Sequence, residues 1–441
     1  FEPVTKWNAT VDDVTRFPDM IRQAFRVATT GCPGPVHLQF QGNEGQIDLE
    51  SAELDILVES SFARVPPYRP APDAGHVREV LAALASAERP VIVAGGGVRV
   101  SGAGDALVDL AEKLSIPVAT SLNGKDSIPG SHPLAVGVVG TYSRESANRV
   151  VGEADLVFFV GTETGSMTTH FWQVPAPGVR AVQLDIDAEA LGRNYPLEAA
   201  MLCDARTGLE ALASAVDAPP PNSREAWTAR ARGVVAAWRA ANAALLESDA
   251  VPMRPERICA TLTQMLPEDA IVLADTGHAG MWMGGMFDLT HRRQSYIRSA
   301  GHLGWAFAAG LGAKCACPGR PVFTFTGDAG MWYHLGEIET AVRWNINAVT
   351  LVNNNSSGNQ SKRGFDRAYG GEQTERAREL WTFNHVDFAR LAENMGALGI
   401  RVEKPADLAP AVTKALEAER PAVIDVVTDI EALAPLAYVN E

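Results

Sequence analysis

Asp328 and Asn355 are the residues whose types and spacing most clearly predict chemistry. Asp328 lies in Gly327-Asp328-Ala329-Gly330 after an apolar run, and Asn355 ends Asn353-Asn354-Asn355 after the next such run. A carboxylate and an amide oxygen suit Mg²⁺ or Ca²⁺ and leave coordination positions for diphosphate oxygens. The small residues after Asp328 would let backbone N–H groups approach the phosphates. The pattern predicts a metal-bridged diphosphate; an Asp helix cap and an Asn-rich turn are the simpler alternative.

Two further stretches could bind the same anion. The stretch from Ala274 to Gly280 (ADTGHAG) follows another apolar run and offers a hydroxyl and backbone amides at a helix start. Gly301-His302-Leu303-Gly304 places one apolar side chain before a helix of small residues. His278 and His302 would flank the ligand and are candidate general acid or base groups. A histidine that only binds backbone or phosphate is the alternative.

The elements that must position these residues alternate between short apolar runs and longer amphipathic stretches. This alternation predicts βαβ units and parallel sheets, hence an α/β fold. Right-handed crossovers would then bring Asp328 and Asn355 to one carboxyl edge of a sheet. Strands are predicted at 36–40, 90–95, 116–120, 155–161, 181–187, 270–275, 321–328, 348–353 and 422–428, and helices at 14–29, 104–114, 255–266, 304–316, 334–344 and 386–397.

The chain divides into four parts by composition. Residues 1–70 form a small N-terminal part with a linker, and residues 76–217 a central Rossmann-like domain. Residues 218–252 form a linker helix, and residues 253–441 a diphosphate-binding domain. The Pro-rich stretches 50–75 and 219–227 are predicted to be irregular linkers, the second followed by a helix that reaches about residue 248.

With these residues, the sequence resembles the thiamine-diphosphate-dependent enzymes of the acetolactate synthase-like group of decarboxylases and carboligases. The family's GDG…NN motif reads Gly327-Asp328-Ala329 and Asn354-Asn355 here, with Ala at the third position. By resemblance, Asp328, Asn355 and the Ser357 carbonyl bind Mg²⁺. Leu303 matches the bulky residue that holds the cofactor in its V-shape. The implied cofactor-binding set is Thr276, Gly277, His278, Ala279, His302, Leu303, Gly327, Asp328, Ala329, Gly330, Asn355 and Ser357.

The resemblance implies formation or cleavage of a carbon–carbon bond on a small 2-oxoacid-type carbonyl substrate. Residues 29–40 resemble the end of the family's pyrimidine-binding domain, so residues 1–70 are interpreted as its C-terminal remnant and linker. The family's activating Glu would precede residue 1, which predicts a separate pyrimidine-domain subunit or further N-terminal sequence. Because family cofactor sites lie between subunits, we expect a homodimer or tetramer. A non-catalytic cofactor-binding subunit is the alternative from another functional class.

Residues 89–195 resemble the family's central domain, in which some members bind FAD and others ADP or CoA. Gly95-Gly96-Gly97 and the strand-end carboxylates Asp185 and Asp187 are weak dinucleotide signals. The stretch 140–143 (GTYS) departs from the FAD-contacting GMHG of acetolactate synthases, which disfavours FAD.

The segment after the metal motif bears on the substrate. Residues 359–363 (NQSKR) replace the MVxQW-like stretch of acetolactate synthases. This leaves open a CoA-thioester enzyme of the oxalyl-CoA decarboxylase or 2-hydroxyacyl-CoA lyase type. A cation within 362–367 could hold a substrate carboxylate.

The composition and charge of the chain argue against some classes of binding partner. The net charge is −15 and the pI is about 5.1, which argues against nucleic acid or an anionic membrane as the partner. No apolar run approaches the roughly 20 residues of a membrane span. Five scattered cysteines are typical of a reducing compartment, so we expect a cytoplasmic protein.

Overall fold

The structure is a computed structural model that describes residues 1–40, 55–217, 222–299 and 301–439. The α/β prediction is confirmed: the chain forms two six-stranded parallel sheets and one two-stranded parallel pair. In the pair, β1 (Trp7–Val11) and β2 (Val36–Phe40) are joined by α1 (Phe17–Thr29). Strand β1 was not predicted, because WNATV carries polar residues between its apolar ones.

The central sheet has the strand order β5-β4-β3-β6-β7-β8. Its strands are β3 (Pro90–Ala94), β4 (Val118–Thr120), β5 (Ala135–Val138), β6 (Leu156–Val160), β7 (Arg180–Asp185) and β8 (Ala199–Leu202). Its helices are α2 (Ala74–Ser86), α3 (Gly96–Ser101), α4 (Gly104–Leu114), α5 (Glu145–Glu153), α6 (Ser166–Thr169) and α7 (Ala205–Ala215).

This order explains both the sequence pattern and the place of a ligand. Strands β3 (PVIVA) and β6 (LVFFV) are buried along their whole length, so they read as continuous apolar runs. The chain leaves these neighbouring strands toward opposite edges of the sheet, which opens a crevice beyond their carboxyl ends.

Helix α8 (Ser223–Leu246) leads to the second large sheet, with the order β10-β9-β11-β12-β14-β13. Its strands are β9 (Ile271–Ala274), β10 (Ser295–Arg298), β11 (Val322–Gly327), β12 (Val349–Asn354), β13 (Leu398–Val402) and β14 (Ala422–Val427). Its helices are α9 (Pro255–Met265), α10 (His278–Gly285), α11 (Trp305–Ala316), α12 (Asp328–Tyr333), α13 (Glu337–Arg343), α14 (Lys362–Ala368), α15 (Glu375–Arg378), α16 (Phe388–Asn394) and α17 (Pro405–Glu417).

The predicted linker over 219–227 is wrong in part. Helix α8 already begins at Ser223, because two of its first residues are anchored on the central domain. The Arg224 guanidinium donates to the carbonyl of Ala87 and the Trp227 indole to that of Pro90, contacts that no local pattern reveals. Residues 218–221 lie outside the described part of the chain, as do residues 50–54 of the first predicted linker.

Other differences are local. The helix predicted over 334–344 corresponds to the shorter α13, whereas the preceding helix α12 and strand β10 were not predicted. Among the described helices, none combines the length and apolar character that a membrane crossing requires.

Candidate functional site

Asp328 and Asn355 meet at the carboxyl edge of the second sheet, as their spacing predicted. Strands β11 and β12 are parallel neighbours, with Gly327 in register with Asn353. Asp328 Oδ2 accepts a hydrogen bond from the Ser357 N–H at 3.0 Å, and the Ser357 hydroxyl donates to Asn355 Oδ1 at 2.8 Å. The three predicted metal ligands thus form one buried cluster.

The electrostatics of this cluster favour a bound cation. Burial raises the pKa of Asp328 to about 6, although hydrogen bonds from the backbone of Ala329 and Ser357 favour the ionised form. A divalent cation would offset this desolvation and hold the carboxylate ionised. One carboxylate and one amide oxygen, with no His or Cys, form a donor set that fits Mg²⁺. Among the described residues, no three His, Cys, Asp or Glu side chains group as an alternative metal site.

Asp275 organises the site, and sequence reasoning missed it. Its buried carboxylate accepts hydrogen bonds from the Thr276 N–H, the Gly304 N–H and the Thr326 hydroxyl, at 2.7–3.1 Å. It therefore ties the end of β9 to β11 and to the loop before α11. A Cβ on Gly330 would lie 2.3 Å from Asp275 Oδ2, so glycine is required there to admit this carboxylate. The small residue Gly330, two positions after Asp328, was the only sequence signal of this packing.

The segment Thr276–Ala279 opens α10 next to Asp275. Gly277 precedes the helix with φ +70°, a conformation that glycine adopts readily, and no side chain caps the first turn. The first-turn amides of this helix are therefore not engaged by a capping side chain and could donate to an anion. The His278 ring is buried edge-to-face against Trp282, and its Nδ1 has no hydrogen-bond partner among the described residues. Burial and the Arg363 charge lower the pKa of His278 to about 4, so the ring is neutral at pH 7.

The loop 301–304 reaches the same edge through Gly304. Gly304 has φ +87°, and a Cβ there would lie 2.6 Å from the Cβ of Tyr333 on α12. This close packing places Leu303, which is half-buried, beside the helix that begins at Asp328. His302 is exposed. The three predicted stretches therefore converge on one sheet edge.

A second candidate site lies in the central domain. A cavity of about 670 Å³ opens beyond the carboxyl ends of β3 and β6, and its lining includes Gly97, Thr162 and Asp185. The glycines at 95–97 have a packing role: a Cβ on Gly97 would lie 2.8 Å from the Cα of Gly161. Asp185 Oδ1 accepts from the Asp187 N–H at 3.0 Å and so is partly engaged by its own loop.

Comparison with known families assigns both large domains. Residues 77–212 match the family described as "Thiamine pyrophosphate enzyme, central domain". Residues 275–426 match "Thiamine pyrophosphate enzyme, C-terminal TPP binding domain". The second match contains Asp275, Asp328 and Asn355, so it coincides with the clustered site.

Individual relatives agree with this assignment. The chain is 31% identical to a probable acetolactate synthase large subunit of Methanocaldococcus jannaschii, over 99% of this chain and 73% of the relative. It is 26% identical to the acetolactate synthase isozyme 3 large subunit of Escherichia coli strain K12, over 95% and 72%. It is 30% identical to a glyoxylate carboligase of Escherichia coli O157:H7, over 97% and 73%.

Proposed function

The chain belongs to the thiamine pyrophosphate enzyme family, and we propose that it forms or cleaves a carbon–carbon bond of a 2-oxoacid with thiamine diphosphate bound at the clustered site. The observation that carries this proposal is the buried Asp328–Ser357–Asn355 cluster, which lies at the sheet edge where α10 begins without a side-chain cap. The relatives are named as an acetolactate synthase and a glyoxylate carboligase, which favours carboligation over simple decarboxylation.

Each part of the site has a proposed task. Asp328, Asn355 and the Ser357 carbonyl hold Mg²⁺, and Thr276–Ala279 donates to the diphosphate. Thiamine diphosphate, when bound here, would supply the nucleophilic carbon that the reaction of a substrate carbonyl requires. Leu303 supports the bent cofactor sterically.

The two histidines receive different tasks. With a pKa of about 4, His278 is a neutral hydrogen-bonding ring at pH 7 and a weak base. His302 is exposed at the rim of the site and is the better placed of the two to exchange a proton with solvent. We propose His302 for proton transfer and His278 for orientation of the bound ligand.

Calorimetric titration of thiamine diphosphate with and without Mg²⁺ tests the cofactor site. We expect binding that requires Mg²⁺ and that Asp328→Asn weakens at least about 100-fold, because a buried charge-to-metal contact is removed without a change of size. Asp407→Asn, an exposed carboxylate in the first turn of α17, is the matched control and should bind like the unmodified protein. Metal-independent binding, or unchanged binding by Asp328→Asn, would refute the site. Release of CO₂ from pyruvate or glyoxylate then identifies the substrate.

A CoA-thioester lyase or decarboxylase is the second candidate, and the central cavity is the observation that favours it. A volume of about 670 Å³ at the switch point of the sheet is large enough for an ADP moiety. Titration with CoA and ADP, together with the visible spectrum of the purified protein, separates the cases. CoA binding supports the thioester enzyme, and a flavin spectrum supports FAD. If the protein shows no CoA binding and no flavin spectrum, the 2-oxoacid enzyme is favoured.

We also propose a homodimer or tetramer, association with a pyrimidine-domain subunit, and a cytoplasmic location. The exposed aromatic side chains Trp332 and Tyr333, on the helix that begins at Asp328, support a protein contact beside the site. Native mass spectrometry reports the number of copies and any second polypeptide. The five cysteines are all free, in keeping with a reducing compartment.

A further inference from the structure

Tyr142 of the central domain contacts the C-terminal domain at the segment that follows the clustered site. Its hydroxyl accepts a hydrogen bond from Gln360 Nε2 at 3.1 Å, and Gln360 lies in the segment that follows the metal motif. A Cβ on Gly280 would lie 3.4 Å from the Tyr142 ring, so the ring lies against the first turns of α10. The Tyr142 side chain of the central domain therefore lies between α10 and the segment after Ser357.

Arg298 lies over this ring without a direct salt bridge among the described residues, although its charge acts on the buried Asp275 carboxylate. Its guanidinium carbon is 5.3 Å from the centroid of Tyr142, and its Nε donates to the Ser299 carbonyl at 3.0 Å. Within the described residues, no carboxylate oxygen lies within 4 Å of its guanidinium. By contrast, Arg292 and Arg293, just before β10, pair with Asp105 and Glu268.

The position of Arg298 indicates a contact with the substrate. Arg298 ends β10 in register with Ala274, so it stands at the same carboxyl edge as Asp275 and between the two loops that flank the proposed cofactor. We propose that Arg298, held on the Tyr142 ring, binds the carboxylate of the substrate. This proposal rests on the proposed function, because a 2-oxoacid carries a carboxylate beside the carbonyl that reacts.

The expected alternatives on α14 are less suited to this task. Lys362 pairs with Asp366 and Glu431, each at 3.1 Å, so its charge is already neutralised. Arg363 donates through one nitrogen to the Ala434 carbonyl. Within the part of the chain that the structure describes, no hydrogen bond engages the terminal nitrogens of Arg298, so both can face a planar carboxylate, with which guanidinium forms paired hydrogen bonds. Tyr142 is a positioning residue, since its ring holds the guanidinium plane.

Binding of oxamate, an unreactive 2-oxoacid analogue, tests the proposal without turnover. Titrations use the protein loaded with Mg²⁺ and thiamine diphosphate, with the uncharged ethyl ester of oxamate as the matched ligand. We expect Arg298→Gln to weaken oxamate binding about 10–100-fold, to leave ester binding unchanged, and to leave the affinity for thiamine diphosphate unchanged. Arg293→Gln, the control just before the same strand, should bind oxamate like the unmodified protein.

The positioning role is tested separately. Tyr142→Phe keeps the ring and should retain most of the oxamate affinity, whereas Tyr142→Leu should lose several-fold while still binding the ester. These variants also keep the proposal testable if Arg298→Gln does not fold.

Each outcome has one meaning. Full oxamate affinity in Arg298→Gln overturns the carboxylate site, and so does an oxamate affinity no higher than that of the ester in the unmodified protein. Weaker thiamine diphosphate binding in Arg298→Gln assigns the guanidinium to the diphosphate and also overturns it. Failure of the unmodified protein to bind thiamine diphosphate refutes the proposed function itself.

Discussion

Replacement of Gly330 by alanine is the sharpest test of how the site is packed. Gly330 lies inside helix α12, where a Gly→Ala change in open space stabilises a helix by up to about 1 kcal/mol. Here the new Cβ would lie 2.3 Å from Asp275 Oδ2 and 2.7 Å from the Thr326 hydroxyl oxygen. The carboxylate would have to move by roughly 1 Å to reach an ordinary contact distance.

The cost follows from what Asp275 would lose. It accepts from the Gly304 N–H at 3.0 and 3.1 Å and from the Thr326 hydroxyl at 2.7 Å, and a shift of this size breaks at least one of these charged hydrogen bonds. Such a bond contributes about 1.5–3 kcal/mol, and overpacking adds about 1–3 kcal/mol. After the helix-propensity gain, we expect a net loss of about 2–5 kcal/mol, or about 4–20 °C in Tm for a domain of this size.

Differential scanning fluorimetry with and without Mg²⁺ and thiamine diphosphate measures both effects. Gly312→Ala is the matched control: Gly312 is also inside a helix, α11, but a Cβ there meets no atom within 4 Å. We expect Gly312→Ala to hold or raise Tm and Gly330→Ala to lower it and to reduce the shift caused by the cofactor. If the two variants behave alike, the close approach of Asp275 to α12 does not exist.

Two further predictions concern buried charge. Burial lowers the pKa of His278 from its ordinary 6.5 to about 4, so between these pH values the unfolded chain binds more protons than the folded one. The free energy of unfolding therefore decreases as the pH is lowered from 6.5 to 4, by up to about 3 kcal/mol. The urea midpoint should decrease less between pH 7 and 4.5 in His278→Gln than in the unmodified protein, and equal decreases contradict the assignment. Arg144→Met removes a buried partner of Asp288 and should cost about 3 kcal/mol. Thermal midpoints check this against Arg206→Met, an exposed pair worth under about 1 kcal/mol, and equal shifts would show that the Arg144 pair contributes no more than a surface one.

The sequence was sufficient for those parts of the site that local order determines. A strand, a crossover helix and the next parallel strand place Asp328 and Asn355 at one edge whatever the details of packing, so their proximity could be predicted. The glycine-rich starts of α10 and α11 were found in the same way. Strand β10 was not, because SYIR is short and half polar.

Features that depend on distant contacts could not be predicted. In the sequence, Asp275 is indistinguishable from other carboxylates at the end of a strand. Only the structure shows that Gly304 and Gly330 pack against it. Tyr142 was read only as a departure from a flavin motif, and its contact with Gln360 joins residues of different domains. Residues 223–227 were read as a linker because the residues that hold Arg224 and Trp227 lie far away in the sequence.

The central domain also fixes the C-terminal end of α10, the helix whose first turn lies at the proposed cofactor site. Lys125 Nζ donates to the Gly284 carbonyl at 2.9 Å and Arg144 Nε to the Gly285 carbonyl at 2.8 Å, so two central-domain side chains satisfy C-terminal carbonyls of α10. The Arg144 guanidinium at this end also complements the helix dipole, whose positive end faces the proposed diphosphate. A Cβ on Gly284 would lie 2.8 Å from the Tyr142 carbonyl oxygen, which explains the glycines on this face. Since this helix is fixed from behind, cofactor affinity should depend on Lys125 and Arg144 although neither touches the proposed cofactor site.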